Sequence, residues 1–276
     1  MSKITNTEKP RILFISQEIV PYIENSIMGF VCRYLPQGIQ ESNKDIRTFM
    51  PKYGLVNERR NQLHEVIRLS GMNLIINDVD HPVIIKVASI SQARIQIYFI
   101  DNEEYFQRKF LFDEDGKFFE DNDERAIFFS KGVLETVKNL GWSPDLVNCN
   151  GWLSAFAPIY INKHYRDNPL YTKSKIVTTL YKDDFDAEFN IELLNKLKYD
   201  GFTDEEIKLL EKPNYVNLMK LTINNSDGVI FAEKEVNPDL IQYVKDKGLP
   251  NISYEKYDAE YLTEISNEFF DKILNL

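Results

Sequence analysis

Bulky apolar residues in this chain gather in short runs, and longer amphipathic stretches separate them. Arg11-Ile12-Leu13-Phe14-Ile15 is the first such run, and it suits a strand buried on both faces. A turn containing Pro21 follows. A helix is then predicted to open at Gly29, with one apolar stripe at Phe30, Val31, Tyr34, Leu35 and Ile39. Ile46–Met50 reads as a second strand, and Tyr53–Asn61 as a polar loop. Val83–Ala88 and Arg94–Ile100 predict a hairpin turning at Ser89–Ala93. Beyond a helix signalled by a cap at Asp121–Asp123 and apolar positions Ala126, Phe129, Val133, Val137 and Leu140, strands are predicted at Pro144–Cys149, Ser174–Leu180 and Gly228–Ala232. Helices are expected between and after them: Trp152–Tyr165, Asp183–Pro213 in two pieces broken near Asp200-Gly201, Tyr215–Asn225, Pro238–Lys247 and Tyr257–Leu276.

Strands alternating with helices predict an α/β fold: a doubly wound, mostly parallel, Rossmann-like sheet with helices on both faces. Residues 1–10 read as a flexible tail and 11–276 as one domain. In open sheets of this kind, ligands bind at the loops beyond the carboxyl ends of the strands. Ser16–Met28 is therefore the first place to look for a site.

Charge narrows the options. The chain carries 33 basic and 43 acidic residues, a formal net charge of −10, which argues against a nucleic-acid or anionic-membrane partner. No apolar run approaches the ~20 residues of a membrane helix, and MSKITNTEKP lacks the core of a signal peptide, so a cytoplasmic protein is expected. Cys32 and Cys149 are too few for a disulfide framework and are expected to be buried thiols. His64, His81 and His164 share no metal-ligand spacing, and the acidic stretch 101–122 lacks the ligand order of a calcium loop. Neither a metal nor a cofactor is expected.

Four ordered segments bear a resemblance. Ser16–Tyr22 with Tyr34–Pro36 is similar to SSEVAPY…ALP. Tyr98–Phe106, running on through Asp121-Asn122, Glu124-Arg125 and Phe128–Ser130, is similar to YLIDNPEYF…DNxERFxFFS. Gly141–Pro158 follows GWxPDIVHCHDWHTALVP, and Ser174–Tyr181 follows KTVFTIHN. Together they resemble the N-terminal catalytic domain of bacterial glycogen and starch synthases, retaining glucosyltransferases of the two-domain GT-B type. The resemblance implies one half of a GT-B fold. It also implies a closing helix, here with Tyr261, Leu262, Ile265, Phe269, Phe270, Ile273 and Leu274, that packs back across the sheet or makes a dimer contact.

The differences from that family bear on chemistry. Its Lys-x-Gly-Gly-Leu loop and following Asp are replaced by Glu24, Ser26, Ile27 and Met28, with Phe30 at the Asp position. A carboxylate stands where a cation would face a diphosphate, and a β-branched side chain replaces a glycine that would let backbone N–H groups approach phosphate. Asn148-Cys149-Asn150-Gly151-Trp152-Leu153 stands against His-Cys-His-Asp-Trp-His, and Tyr181 replaces a histidine. No GxGxxG, second KxGGL or Arg/Lys cluster follows Pro238, and the family's donor domain would be expected to begin only where this sequence ends.

Two readings follow. One is a lone domain, incompetent in catalysis by itself, that serves in binding or regulation with an α-glucan or a protein partner; self-association is open. The other is a glucosyltransferase completed by a separate donor-binding chain. The first accounts for both the altered loop and the missing half. Glu18, Tyr22, Asn148, Asn150 and Tyr181 are the candidate ligand-facing residues, with Tyr22 and Tyr181 suited to stacking on sugar faces. Glu24, Ser26, Ile27, Phe30, Gly151 and Leu153 mark the degenerate positions. Trp152 is expected to pack between helix and sheet, and Arg125 to pair with acidic neighbours near Asp121 and Asp123.

Overall fold

A computed structural model describes residues 9–276. The expected tail falls, as far as residue 8, outside the described residues. The chain opens with β1 (Arg11–Ser16), α1 (Ile27–Glu41) and β2 (Asp45–Pro51), followed by β3 (His64–Glu65), β4 (Met72–Ile76), β5 (Val79–Ile90) and β6 (Ile95–Asp101). A short α2 (Glu103–Phe106) and a small ribbon of β7 (Asp113–Glu114) and β8 (Lys117–Phe118) lead into α3 (Asn122–Asn139). Next come β9 (Leu146–Asn150), α4 (Phe156–Tyr160), β10 (Lys175–Leu180), α5 (Leu193–Tyr199) and α6 (Asp204–Ile207). The last elements are α7 (Tyr215–Asn224), β11 (Gly228–Phe231), α8 (Pro238–Lys247), β12 (Asn251–Ser253) and α9 (Ala259–Leu274).

The main sheet runs β12-β11-β10-β9-β1-β2-β6-β5-β3, with β4 paired to β5. From β12 to β6 every neighbouring pair is parallel, and β5 then turns antiparallel to β6 as the predicted hairpin. β1 lies mid-sheet, and Ile12–Ser16 are all buried. Helices cover both faces, so the central strands need apolar residues without alternation, and that is why they were visible as continuous runs. The fold is the doubly wound sheet expected.

α9 closes the core. Phe270 is fully buried, with its ring 6.3 Å from that of Phe14 on β1, and Lys44 beyond α1 bonds to Asn267 (2.6 Å) and Asp271 (2.8 Å) on α9. The apolar stripe read from the sequence therefore packs within the chain. No helix among the described residues is long and apolar enough to cross a membrane.

Several local expectations need correction. α1 starts at Ile27 because Ser26 caps it through its hydroxyl. Asp121 does not cap α3: its carboxylate is held by Arg108 (2.7 Å). Residues 152–165 form a 3-10 turn, α4 and a π-helical turn instead of one helix, and Pro158 has no N–H to offer a regular ladder. Residues 183–192 are not helical. Phe185 and Phe189 have helical spacing, but both rings pack on Trp152, and the Phe189 N–H donates to the Pro213 carbonyl at 2.7 Å. β12 was not predicted; its Asn-Ile-Ser sequence lies on an exposed edge without an apolar run. Replacing Phe270 by Ala should cost about 3–5 kcal/mol, read as a lower urea midpoint. A cost within about 0.5 kcal/mol would mean that α9 does not close this core.

Candidate functional site

The strand ends of β1, β9 and β10 converge on one loop system. Gln17 ties it together: its N–H donates to the Asn150 carbonyl (3.2 Å), its side-chain oxygen accepts the Leu153 N–H (3.0 Å), and its carbonyl accepts the Tyr53 hydroxyl (3.1 Å). On the following turn the Ser26 hydroxyl accepts the Gly29 N–H at 2.8 Å. A backbone donor that a helix N-terminus could otherwise offer to an anion is thereby occupied. Met28 is buried, Ile27 half-buried, and the Phe30 ring lies 4.5 Å from Tyr34 along the helix.

Gly151 explains its own residue type. Its backbone sits at φ 80°, ψ 162°, a region essentially reserved for glycine. An added Cβ would lie 2.8 Å from the Gln17 side-chain oxygen and 2.8 Å from the Met28 methyl. The aspartate of the resembling motif has no room here.

Asn148, Asn150 and Tyr181 form a buried chain of hydrogen bonds. Asn148 donates to Thr179 Oγ1 (2.9 Å) and the Val177 carbonyl (3.2 Å), Asn150 donates to Asn148 Oδ1 (2.9 Å), and the Tyr181 hydroxyl donates to Asn150 Oδ1 (2.9 Å). Burial raises the Tyr181 hydroxyl well above its ordinary range and Tyr22 to about 12, so both stay neutral. Tyr181 is 1% exposed and Tyr22 8%, with the Tyr22 ring edge-on to Phe99 at 4.9 Å. Contrary to expectation, neither offers an open face for a sugar to stack on. Cys32 and Cys149 are buried, and burial pushes their thiols up, Cys32 to about 12.

Trp152 does not lie between helix and sheet. Its ring joins Phe112 (4.8 Å), Phe185 (5.2 Å) and Phe189 (5.8 Å) from the surrounding loops and Phe118 (5.8 Å) from β8. Its backbone N–H donates to Asp183 at 2.9 Å, and the Tyr215 hydroxyl donates to the other oxygen of the same carboxylate at 2.7 Å. Burial raises Asp183 to about 7 despite these bonds, and Glu18 nearby adds to the rise.

Arg125 also departs from expectation. It makes no ion pair among the described residues; it donates to the Tyr105 carbonyl (2.8 Å), the Leu111 carbonyl (2.6 Å) and Asn122 Oδ1 (2.6 Å). Phe106, Phe112 and Phe119 surround it, and burial lowers it to about 10. Asp123 pairs instead with Lys196 at 2.7 Å. Arg125 thus fixes the 107–112 loop, whose Phe112 walls the site.

The turn Tyr22–Met28 separates two hollows. A cavity of about 240 Å³ is lined by Glu18, Ser26, Ile27, Met28 and Tyr181 together with Phe112, Trp152, Lys182, Asp183, Asp184 and Glu233. Four carboxylates face one lysine there. A larger cleft of about 590 Å³ lies across the turn and includes Tyr22 and Glu24. Asn148, Asn150, Leu153 and Phe30 line neither. Asp183, Asp184 and Glu233 were missed from the sequence, although carboxylates just beyond buried strands are themselves a signal. No group of three or more His, Cys, Asp or Glu among the described residues could hold a metal ion.

The family model described as the starch synthase catalytic domain matches residues 11–252. The chain belongs to that family. Among its relatives, a glycogen synthase of Chlorobium luteolum is 31% identical over 228 residues, covering 81% of this chain and 46% of the relative. One from Chlorobium limicola is 35% identical over 173 residues, covering 62% of this chain and 35% of the relative. This starch synthase family chain therefore spans less than half the length of these curated relatives. The solved catalytic domain of starch synthase IV from Arabidopsis thaliana, bound to ADP and acarbose, superposes with a TM-score of 0.72 at 17% identity, over 89% of this chain and 51% of that one. At that identity the likeness shows the fold.

Because Asp183 holds a proton that the unfolded chain has released, it costs stability as pH rises from about 3.8 to about 7. Asp183→Asn should abolish that decline, so that the wild type loses on the order of 2 kcal/mol more than the variant across this window in urea titrations. Parallel pH profiles for the two proteins would contradict the assignment.

Proposed function

We propose that this chain keeps the scaffold of a glycogen/starch synthase half without its donor-phosphate chemistry, and that it acts by binding an α-glucan, as a binding or regulatory module. The β1–α1 turn carries the reading: where the resemblance calls for a lysine and two glycines facing a diphosphate, Ser26 occupies a helix-terminal donor, and Glu24 brings negative charge. Glu18, Asp184 and Glu233 in the adjoining cavity oppose a diphosphate further. A neutral polyhydroxyl ligand carries no such penalty, and the relatives' names point to a glucan.

A second reading is an ADP- or UDP-glucose:glucan glucosyltransferase completed by a separate donor-binding chain, and what favours it is that the relatives are named glycogen synthase. It leaves the filled turn and the glycine at 151 without a role.

Incubating the chain with glycogen and radiolabelled ADP-glucose, alone and with the separately produced C-terminal half of a relative, separates the two. The expected result is no incorporation in either mixture, with the chain retarded in glycogen-containing native gels. Incorporation that depends on this chain would overturn the non-catalytic reading.

A further inference from the structure

Resting on the glucan reading, we infer that the glucan lies in the 590 Å³ cleft on the outer side of the β1–α1 turn, held by Asn25, Asn57, Arg60 and Asn61, and not in the acidic cavity between the strand ends. The cleft falls within the roughly 300–1,000 Å³ of small-molecule sites. Three loops build it: the turn after β1 supplies Pro21–Asn25, the segment after β2 supplies Leu55, Asn57, Arg60 and Asn61, and Leu111 closes it from the loop after α2.

Its lining matches a neutral polyhydroxyl chain. Arg60 and Glu24 cancel in charge, whereas the smaller cavity has four carboxylates against one lysine. Arg60 and Glu24 are exposed, and neither side chain has an ion-pair or hydrogen-bond partner among the described residues. Asn25 is exposed at φ 73°, a left-handed position that asparagine tolerates and that holds its amide out of the turn. Asn57 uses its side-chain oxygen on the Arg60 N–H (2.8 Å), which leaves its amide donors open. Asn61 spends a donor on the Asn57 carbonyl (2.9 Å), which leaves its acceptor open. Pro21 and Leu55, the latter 50% exposed, add apolar surface for the C–H faces of sugar rings. A sugar ring needs this combination of mixed donors and acceptors at its edge and apolar atoms against its face.

The cleft is also pre-formed, which lowers the ordering cost of binding. Glu58 pins the 52–62 loop by accepting from Lys52 (2.8 Å) and Lys86 (2.7 Å), and Lys86 bonds in turn to Asp101 (2.8 Å) at the end of β6. At Gly54 an added Cβ would lie 2.3 and 2.4 Å from the carbonyl oxygens of Gln107 and Arg108, so two walls meet through backbone. Arg125 holds the third wall through the Leu111 carbonyl (2.6 Å).

Titrating maltoheptaose into the full chain by calorimetry tests the assignment with surface variants that leave the core untouched. Arg60→Ala and Asn25→Gly should each weaken binding about tenfold, while Glu18→Gln and Asp184→Asn in the acidic cavity leave it unchanged. Asn25→Gly keeps the backbone conformation, so its loss reports the amide alone. Binding abolished by the acidic-cavity variants and untouched by Arg60→Ala would overturn the placement and leave the glucan reading standing. No saturable binding by the wild-type chain would overturn both.

Discussion

The close seating of the loop after β1 against Gly151 is the constraint on which the strand-end chemistry depends. Gln17 bonds to backbone on both sides of Gly151 and receives the Tyr53 hydroxyl, while Met28 reaches over the glycine from the start of α1. Two loops that diverge in sequence by 134 residues thereby meet with no space for a Cβ. That contact decides several residues at once: glycine at 151, an unbranched amide at 17, and a long flexible side chain at 28. It also explains why the altered positions form a set. A β1–α1 turn that packs as a wall can spare its glycines, and an aspartate at 151 has nowhere to go.

Electrostatics follow from the same arrangement. With no cation on the turn and its Gly29 donor taken by Ser26, Lys182 alone faces the carboxylates around the acidic cavity, and one of them, half-buried Asp183, is raised by desolvation to about 7. Its two hydrogen bonds make it a structural staple between the Trp152 turn and α7. The charge cost of the cavity is thus tied to its architecture, whereas the cleft lined by Glu24 and Arg60 is neutral in charge.

How much of this was legible in the sequence depended on whether local pattern or distant contact decided each element. β1, β9, β10 and β11 were readable because strands covered on both faces must be continuously apolar, and the β5–β6 hairpin was readable from two runs about a short turn. The start of the helix expected from Asp183 is lost because the rings of Phe185 and Phe189 turn to the indole of Trp152, a partner distant in sequence. Arg125 misled because acidic neighbours in sequence suggested ion pairs, whereas its geometry serves carbonyls. At the site, Glu18, Ser26, Ile27 and Tyr181 do come together around one cavity, but Asn148 and Asn150 spend their amides internally. Side-chain direction and hydrogen-bond saturation are properties of the folded neighbourhood, and no periodicity carries them. The Arg60 cleft was invisible for the same reason: a polar loop reads as solvent-facing until two other loops are set beside it.

In the proposed reading the β1–α1 turn receives no phosphate. The most direct measurement is titration of the isotopically labelled chain with ADP, following the backbone amide signals of Ser26, Ile27, Met28 and Gly29 by NMR. These signals are expected to stay in place at millimolar ADP. Saturable shifts centred on those four amides would contradict that reading.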